Sequence, residues 1–137
     1  MIERRSVLKR LLGLTALSSI TGVSSAFAQP VESRVELLMF DDPGCGYCHQ
    51  WHREVGAAYR NSPEGRLAPL RVVQVRTGRP EGVTLASPVR ATPTFVLVQD
   101  GREVGRLTGY GGADFFWGQL DPLMKKLKPG LPGGKAA

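Results

Sequence analysis

The only two cysteines of this chain stand three positions apart, as Cys45-Gly46-Tyr47-Cys48. A disulfide across so short a segment closes almost no loop and would hardly restrain the unfolded chain. The pair therefore asks for a chemical explanation, and its flanks limit the folds that can present it. Upstream, Val35-Glu36-Leu37-Leu38-Met39-Phe40 is a short apolar run that reads as a buried strand, ended by Asp41-Asp42-Pro43-Gly44. Downstream, Cys48, Trp51, His52, Val55 and Tyr59 recur at helical spacing and predict a helix from about Cys45 to Tyr59. At such a junction the first thiol meets unpaired N–H groups and the positive end of the helix dipole. A thiol there falls from about 8.5 to between about 3.5 and 7.5 and is a reactive thiolate at neutral pH. Cys48, one turn later on the apolar face, is then the sheltered resolving thiol.

The rest of the chain fills in an α/β order. Asn61-Ser62-Pro63-Glu64-Gly65 reads as loop, and Leu70 to Arg76 as a second strand, giving a β-α-β unit whose crossover is expected to be right-handed. Thr77 to Val89 carries Gly78, Pro80, Gly82 and Pro88 and is expected to be loop, with at most a short helix around Glu81–Ala86. Thr94-Phe95-Val96-Leu97-Val98 is a third strand. Asp100-Gly101 is a hairpin signal, and Arg102 to Thr108 returns antiparallel. A last helix is expected from about Asp114, burying Phe116, Leu120, Leu123, Met124 and Leu127, with a kink near Gly118 imposed by Pro122. The minimal core is thus β-α-β, then a β-hairpin, then a C-terminal α, with no internal repeat and no second domain.

The termini point to export. Arg4, Arg5, Lys9 and Arg10 precede a stretch from Leu11 to Val31 without charge, and Ala26-Phe27-Ala28 has the small-x-small form of a cleavage site. Residues 1–28 are expected to be a removed signal peptide; an uncleaved apolar anchor is the alternative. Glu3-Arg4-Arg5-Ser6-Val7-Leu8-Lys9 resembles the twin-arginine export motif, with Val7 where that motif usually has Phe. The folded domain is placed at 29–128 and a disordered Pro- and Gly-rich tail at 129–137. Without the leader the net charge drops from +6 to +3, with 14 basic and 11 acidic residues. Its arginines are scattered, which does not make a nucleic-acid-binding stripe.

A Cys-x-x-Cys at the first strand–helix junction of this layout resembles the thioredoxin superfamily. That resemblance implies a cis bond before Pro93 in Ala91-Thr92-Pro93-Thr94, and a Thr92 backbone that pairs with an extended substrate segment. A trans proline opening a strand is the alternative. A narrower likeness runs from about Leu37 to Leu123. It covers Pro43-Gly44-Cys45-x-x-Cys48, Trp51, Ala68-Pro69-Leu70-Arg71, Thr92 to Val98, Gly101 to Arg106, Gly109-Tyr110 and Phe115-Phe116-Trp117-Gly118. These segments look like the small periplasmic thioredoxins of bacterial sulfur-oxidation (Sox) systems. The likeness implies a monomeric periplasmic reductase with no cofactor beyond the Cys45–Cys48 disulfide. It would free the cysteine of a sulfur-carrier protein and be fed by a membrane thiol-electron donor. The departure is Gly46, where many relatives are expected to have Pro. Cys45-Gly46-Tyr47-Cys48-His49 also resembles the periplasmic disulfide isomerases, whose dimerisation domain this chain has no room for. Ordinary thioredoxins bury an acidic residue six before the first cysteine. Met39 stands there in this chain, so any proton transfer must come from elsewhere, with His49 and His52 as candidates beside a plain surface or packing role.

Two other chemistries share these residues. Cys45-x-x-Cys48-His49 matches a c-type haem attachment site and would make an electron carrier. Cys45, Cys48, His49 and His52 together offer donors for a copper or zinc carrier, although a helix spreads them over more than one face. Strand-rich surroundings favour thiol–disulfide exchange, with no metal.

Overall fold

The computed structural model describes residues 33–128; the leader 1–28 and the tail 129–137 lie outside the described residues. Its centre is a four-stranded mixed sheet in the order β2-β1-β3-β4. Strand β1 is Val35–Asp41, β2 is Leu70–Gln74, β3 is Thr94–Gln99 and β4 is Arg102–Thr108. β1 runs parallel to β2, as the intervening helical crossover requires, and antiparallel to β3. The β3–β4 hairpin turns at Asp100 and Gly101, whose φ of 53° and 75° are both positive, the combination a tight primed turn needs. Asp100 is further tied to the start of β1: its N–H donates to the Arg34 carbonyl at 2.8 Å, and its Oδ1 accepts the Arg34 N–H at 2.9 Å.

One helical run covers one face of the sheet. It comprises α1 Gly46–Trp51, a π-helical turn His52–Gly56, and α2 Ala57–Asn61. Cys45 is not its first residue but its N-cap. α3, Pro63–Leu67, occupies part of the segment expected to be loop. The cause is local: the Ser62 hydroxyl caps the Gly65 N–H at 2.9 Å, and Pro63 occupies the first turn, where a missing N–H is harmless. β2 stops at Gln74 rather than Arg76, because Val75–Thr77 winds into a 3₁₀ turn in which the Thr77 hydroxyl donates to the Gln74 carbonyl at 2.8 Å. α4, Ala113–Met124, continues through Pro122. It buries Phe116, Leu120 and Leu123, while Met124 and Leu127 are only partly covered.

Alternation along the strands separates two cores. Val35, Leu37 and Met39 face the helices and pack with Cys48, Trp51, Val55, Tyr59, Phe95 and the α4 residues. Leu38, Phe40, Val73, Val96 and Val98 face the other way. Among the described residues no helix packs on that second face. The expected short helix at 81–86 is absent, and Val83, Leu85 and Val89 of the long segment cover the sheet instead. Glycines and prolines deny this segment helical hydrogen bonds, and β4 supplies substitutes. Glu103 Oε2 accepts the Ala86 N–H at 2.7 Å, and Arg106 donates to the Ser87 carbonyl at 2.8 Å while paired with Glu103.

Candidate active site

Cys45 and Cys48 form a disulfide with Cα atoms 5.3 Å apart. The two sulfurs sit in different surroundings. Cys45 is half-buried at the cap of α1, with an extended backbone, and its Sγ accepts the Cys48 N–H at 3.1 Å. An N–H aimed at this sulfur, at the positive end of a helical run, favours its thiolate when the bond is reduced. Cys48 is fully buried, within the helix-side core.

The turn before Cys45 is held from several sides. Cys45 N–H donates to the Asp42 carbonyl at 2.9 Å, and Gly44 N–H donates to Asp42 Oδ1 at 2.8 Å. Arg76 grips the same carboxylate through Nε at 2.7 Å. The Arg76 hydrogen bond first, and the Gly44 N–H second, hold the Asp42 carboxyl below the usual carboxylate range. The 3₁₀ turn that ends β2 early is what brings Arg76 to this position.

Two further segments reach this end of the sheet. The Thr92–Pro93 bond is cis. Since Thr94 pairs with Phe40, Pro93 falls beside the end of β1, where the cysteine turn begins. Its carbonyl accepts the Gly109 N–H at 2.7 Å, which joins the β4–α4 loop to it. Tyr110 of that loop is buried and donates its hydroxyl to Glu54 Oε2 at 2.6 Å, while Gln50 donates to Glu54 Oε1 at 2.9 Å. The Tyr110 bond, then that from Gln50, lowers the Glu54 carboxyl; loss of solvent, then the Glu54 contact, raises the Tyr110 phenol to about 12. The loop is thereby pinned to the helix that carries the cysteines. Tyr47 and Phe115, 63% and 52% exposed, stand out from the first turns of α1 and α4. A cavity of about 300 Å³ lies elsewhere, lined by Phe40, Val75, Arg79, Leu85 and Pro88, and contains neither cysteine.

The two histidines separate. His49 is exposed on α1. His52 lies one turn beyond Cys48, its N–H donating to the Cys48 carbonyl, and its Nε2 meets Asp41 Oδ2 at 2.9 Å. Asp41 was not singled out in the sequence, although strand alternation places it on the face of Leu37 and Met39. Among the described residues no three His, Cys, Asp or Glu side chains are grouped to hold a metal ion.

Comparison with known proteins fits this geometry. Residues 28–123 match the model of the thioredoxin-like domain family, and the chain belongs to that family. With its Cys-x-x-Cys pair it is a thiol–disulfide oxidoreductase, and the disulfide is itself the redox group. Among solved structures it is similar to the reduced form of the periplasmic thioredoxin SoxS from Paracoccus pantotrophus. The two are 46% identical with a TM-score of 0.67, over 69% of this chain and all of that one. No curated protein matches the sequence.

Proposed function

We propose that this chain is exported to the periplasm and there reduces a disulfide on a protein partner, with Cys45 as nucleophile and Cys48 as resolving thiol. The observation that carries the assignment of roles is the contrast between the two sulfurs: Cys45 half-buried and capped, Cys48 enclosed. The Cys45 thiolate attacks one sulfur of the partner disulfide, and the other leaves as a thiolate, forming a mixed disulfide. Cys48 then attacks Cys45 Sγ, the partner departs with both sulfurs reduced, and two electrons have passed to it. The Thr92 backbone, beside cis-Pro93, is proposed to align the partner's extended segment.

The likeness to a periplasmic thioredoxin named for a Sox system supports a sulfur-carrier protein as the partner and a membrane thiol donor as the source of electrons. It also favours the thiol reading of Cys45-x-x-Cys48-His49 over haem attachment or metal carriage. Cys48→Ser is expected to accumulate a mixed disulfide with the carrier, detected on non-reducing gels, and Cys45→Ser to form none. Trapping with Cys45→Ser instead would reverse the roles. Thiol trapping in cells gives the direction: a pair kept reduced fits a reductase, and a pair held oxidised moves an isomerase or oxidase role to first place. Potentials from about −270 mV to about −120 mV are open to this motif.

A further inference from the structure

Reduction of a protein disulfide needs the partner's sulfur delivered in line with Cys45, and a misplacement of about 1 Å can cost about 10²-fold in rate. Cys45 caps the helical run, whereas the Thr92–Pro93 segment leads into β3 of the sheet. On one side the two are joined through β1, where Phe40 pairs with Thr94 and the Asp42–Arg76 turn leads to Cys45. On the other side the connection runs through the β4–α4 loop. The Pro93 carbonyl accepts the Gly109 N–H at 2.7 Å. The next residue, Tyr110, donates its hydroxyl to Glu54 Oε2 at 2.6 Å, and Glu54 belongs to the helical run that carries Cys48.

The composition of that loop makes the tyrosine its one side-chain attachment. Between Thr108 and Ala113 it reads Gly109-Tyr110-Gly111-Gly112. Gly109 and Gly112 have φ of 87° and 104°, values that glycine adopts freely and other residues only at a cost. Three glycines leave the backbone many shapes, and only Tyr110 can select one. Packing seats its ring, which is 7% exposed among the helix-side core residues. The hydroxyl adds a direction. Raised to about 12, chiefly by loss of solvent, the phenol stays protonated and remains a donor. Glu54, lowered first by Tyr110 and then by Gln50, stays charged and remains an acceptor. The bond is therefore charge-assisted and stronger than a neutral one. Gln50, one turn earlier, holds the other carboxylate oxygen at 2.9 Å. Glu54 is also the middle residue of the π turn His52–Gly56, and such turns recur at functional sites.

Resting on the reading that the Thr92 backbone aligns the partner, we propose that Glu54 and Tyr110 are positioning residues for partner binding. Neither exchanges electrons or a proton with the partner. Their bond fixes Gly109, Gly109 holds the Pro93 carbonyl, and the segment that receives the partner is set before the partner arrives. The cost of ordering the loop then falls on folding and not on binding, which tightens the complex. Because the anchor is on the helix that Cys45 caps, it also sets the Pro93 segment relative to the attacking sulfur.

The test uses the full chain, with KM and kcat for a peptide disulfide measured beside amide hydrogen exchange at Gly109. Tyr110→Phe keeps the buried ring and removes the donor. Glu54→Ala removes the acceptor at an exposed helix position. Each is expected to raise KM by about 2- to 30-fold, the range for residues that act on a ligand they do not touch, and to lower kcat by less. Gly109 exchange should quicken in both, and the Cys45 thiolate should titrate as in the wild type. Glu54→Gln, which keeps an accepting oxygen, should restore most of the KM. Tyr110→Phe combined with Glu54→Ala should do no more than either change alone, as one shared contact requires. An unchanged KM in both variants, or single effects that add in the double, overturns the proposal. A raised KM with Gly109 exchange as in the wild type, or with a displaced Cys45 titration, overturns it too, since the effect then bypasses the loop. The underlying reading fails differently. In a Cys48→Ser chain trapped with the peptide, a Thr92 amide no better protected than in the free chain refutes that alignment, whatever the Glu54 and Tyr110 variants do.

Discussion

Gly65→Ala is a substitution that helix propensity and the structure judge oppositely. Gly65 lies inside α3, and replacing glycine by alanine in a helix ordinarily gains about 1 kcal/mol. Here the added Cβ would collide with the Tyr59 carbonyl oxygen, with the carbonyl carbon 2.8 Å away and Arg60 Cα at 3.3 Å. These are backbone atoms at the end of α2 and cannot swing aside. The same Tyr59 carbonyl accepts the Ser62 N–H at 3.0 Å and the Ser62 hydroxyl at 2.7 Å. Relieving the collision therefore pulls α3 off its own cap, a loss of about 0.5–2 kcal/mol, and adds the strain of overpacking, about 1–3 kcal/mol. It also disturbs the buried bond from the Tyr59 hydroxyl to the Ala68 carbonyl at 2.6 Å, which leads the chain into β2. With the propensity gain set against these, the net loss is about 0.5–4 kcal/mol. In a domain of this size that lowers Tm by about 2–30 °C. Thermal and urea unfolding of the oxidised chain, wild type against variant, measures it, and disulfide exchange at 25 °C should persist because the cysteines are untouched. An unchanged or raised Tm would refute the reasoning and show that the α2–α3 junction yields to a methyl group at little cost.

Arg76→Ala should raise the Asp42 carboxyl back toward its ordinary value, leaving only the Gly44 N–H to hold it down. Because the folded value is the lower one, the wild-type contribution is present above the ordinary carboxylate range and fades as pH falls through the folded value, so the variant should lose it at higher pH. An NMR titration of the Asp42 carboxyl that shows no change would remove Arg76 as the cause. For export, Arg4→Lys with Arg5→Lys should block delivery, and the periplasmic protein should begin at Gln29. Intact mass showing residues 1–28 retained would refute the cleavage.

The sheet was legible because its signals are local. Short apolar runs marked β1 and β3, and Asp100-Gly101 fixed the hairpin to β4 through a turn few other residue pairs can make. What escaped depends on partners distant in sequence. Ser62-Pro63 carries a helix-start signal, but five residues of α3 persist only because Gly65 can sit against the end of α2. The segment 78–93 has no periodicity of its own, and its course is dictated by Glu103 and Arg106 on β4.

The site divides along the same line. Cys45 and Cys48 could be read from spacing and neighbours and Pro93 from the family resemblance, whereas Asp41 could not be found by counting back from the cysteine. A fixed offset of six lands on Met39 and suggests that no buried carboxylate remains. The physical constraint is the face, not the offset: every second residue of β1 points at the helix, so Asp41 satisfies it as Met39 would. Two residues along a strand move a side chain by roughly 7 Å, about one turn and a quarter of helix. A carboxylate shifted that far meets the helix further along its length than one at position 39, and His52 stands one turn beyond Cys48 to receive it. The displaced acid and the histidine therefore belong together: an acid at 41 needs a partner a turn past the buried thiol. Exchanging Met39 and Asp41 should then leave His52 without its partner.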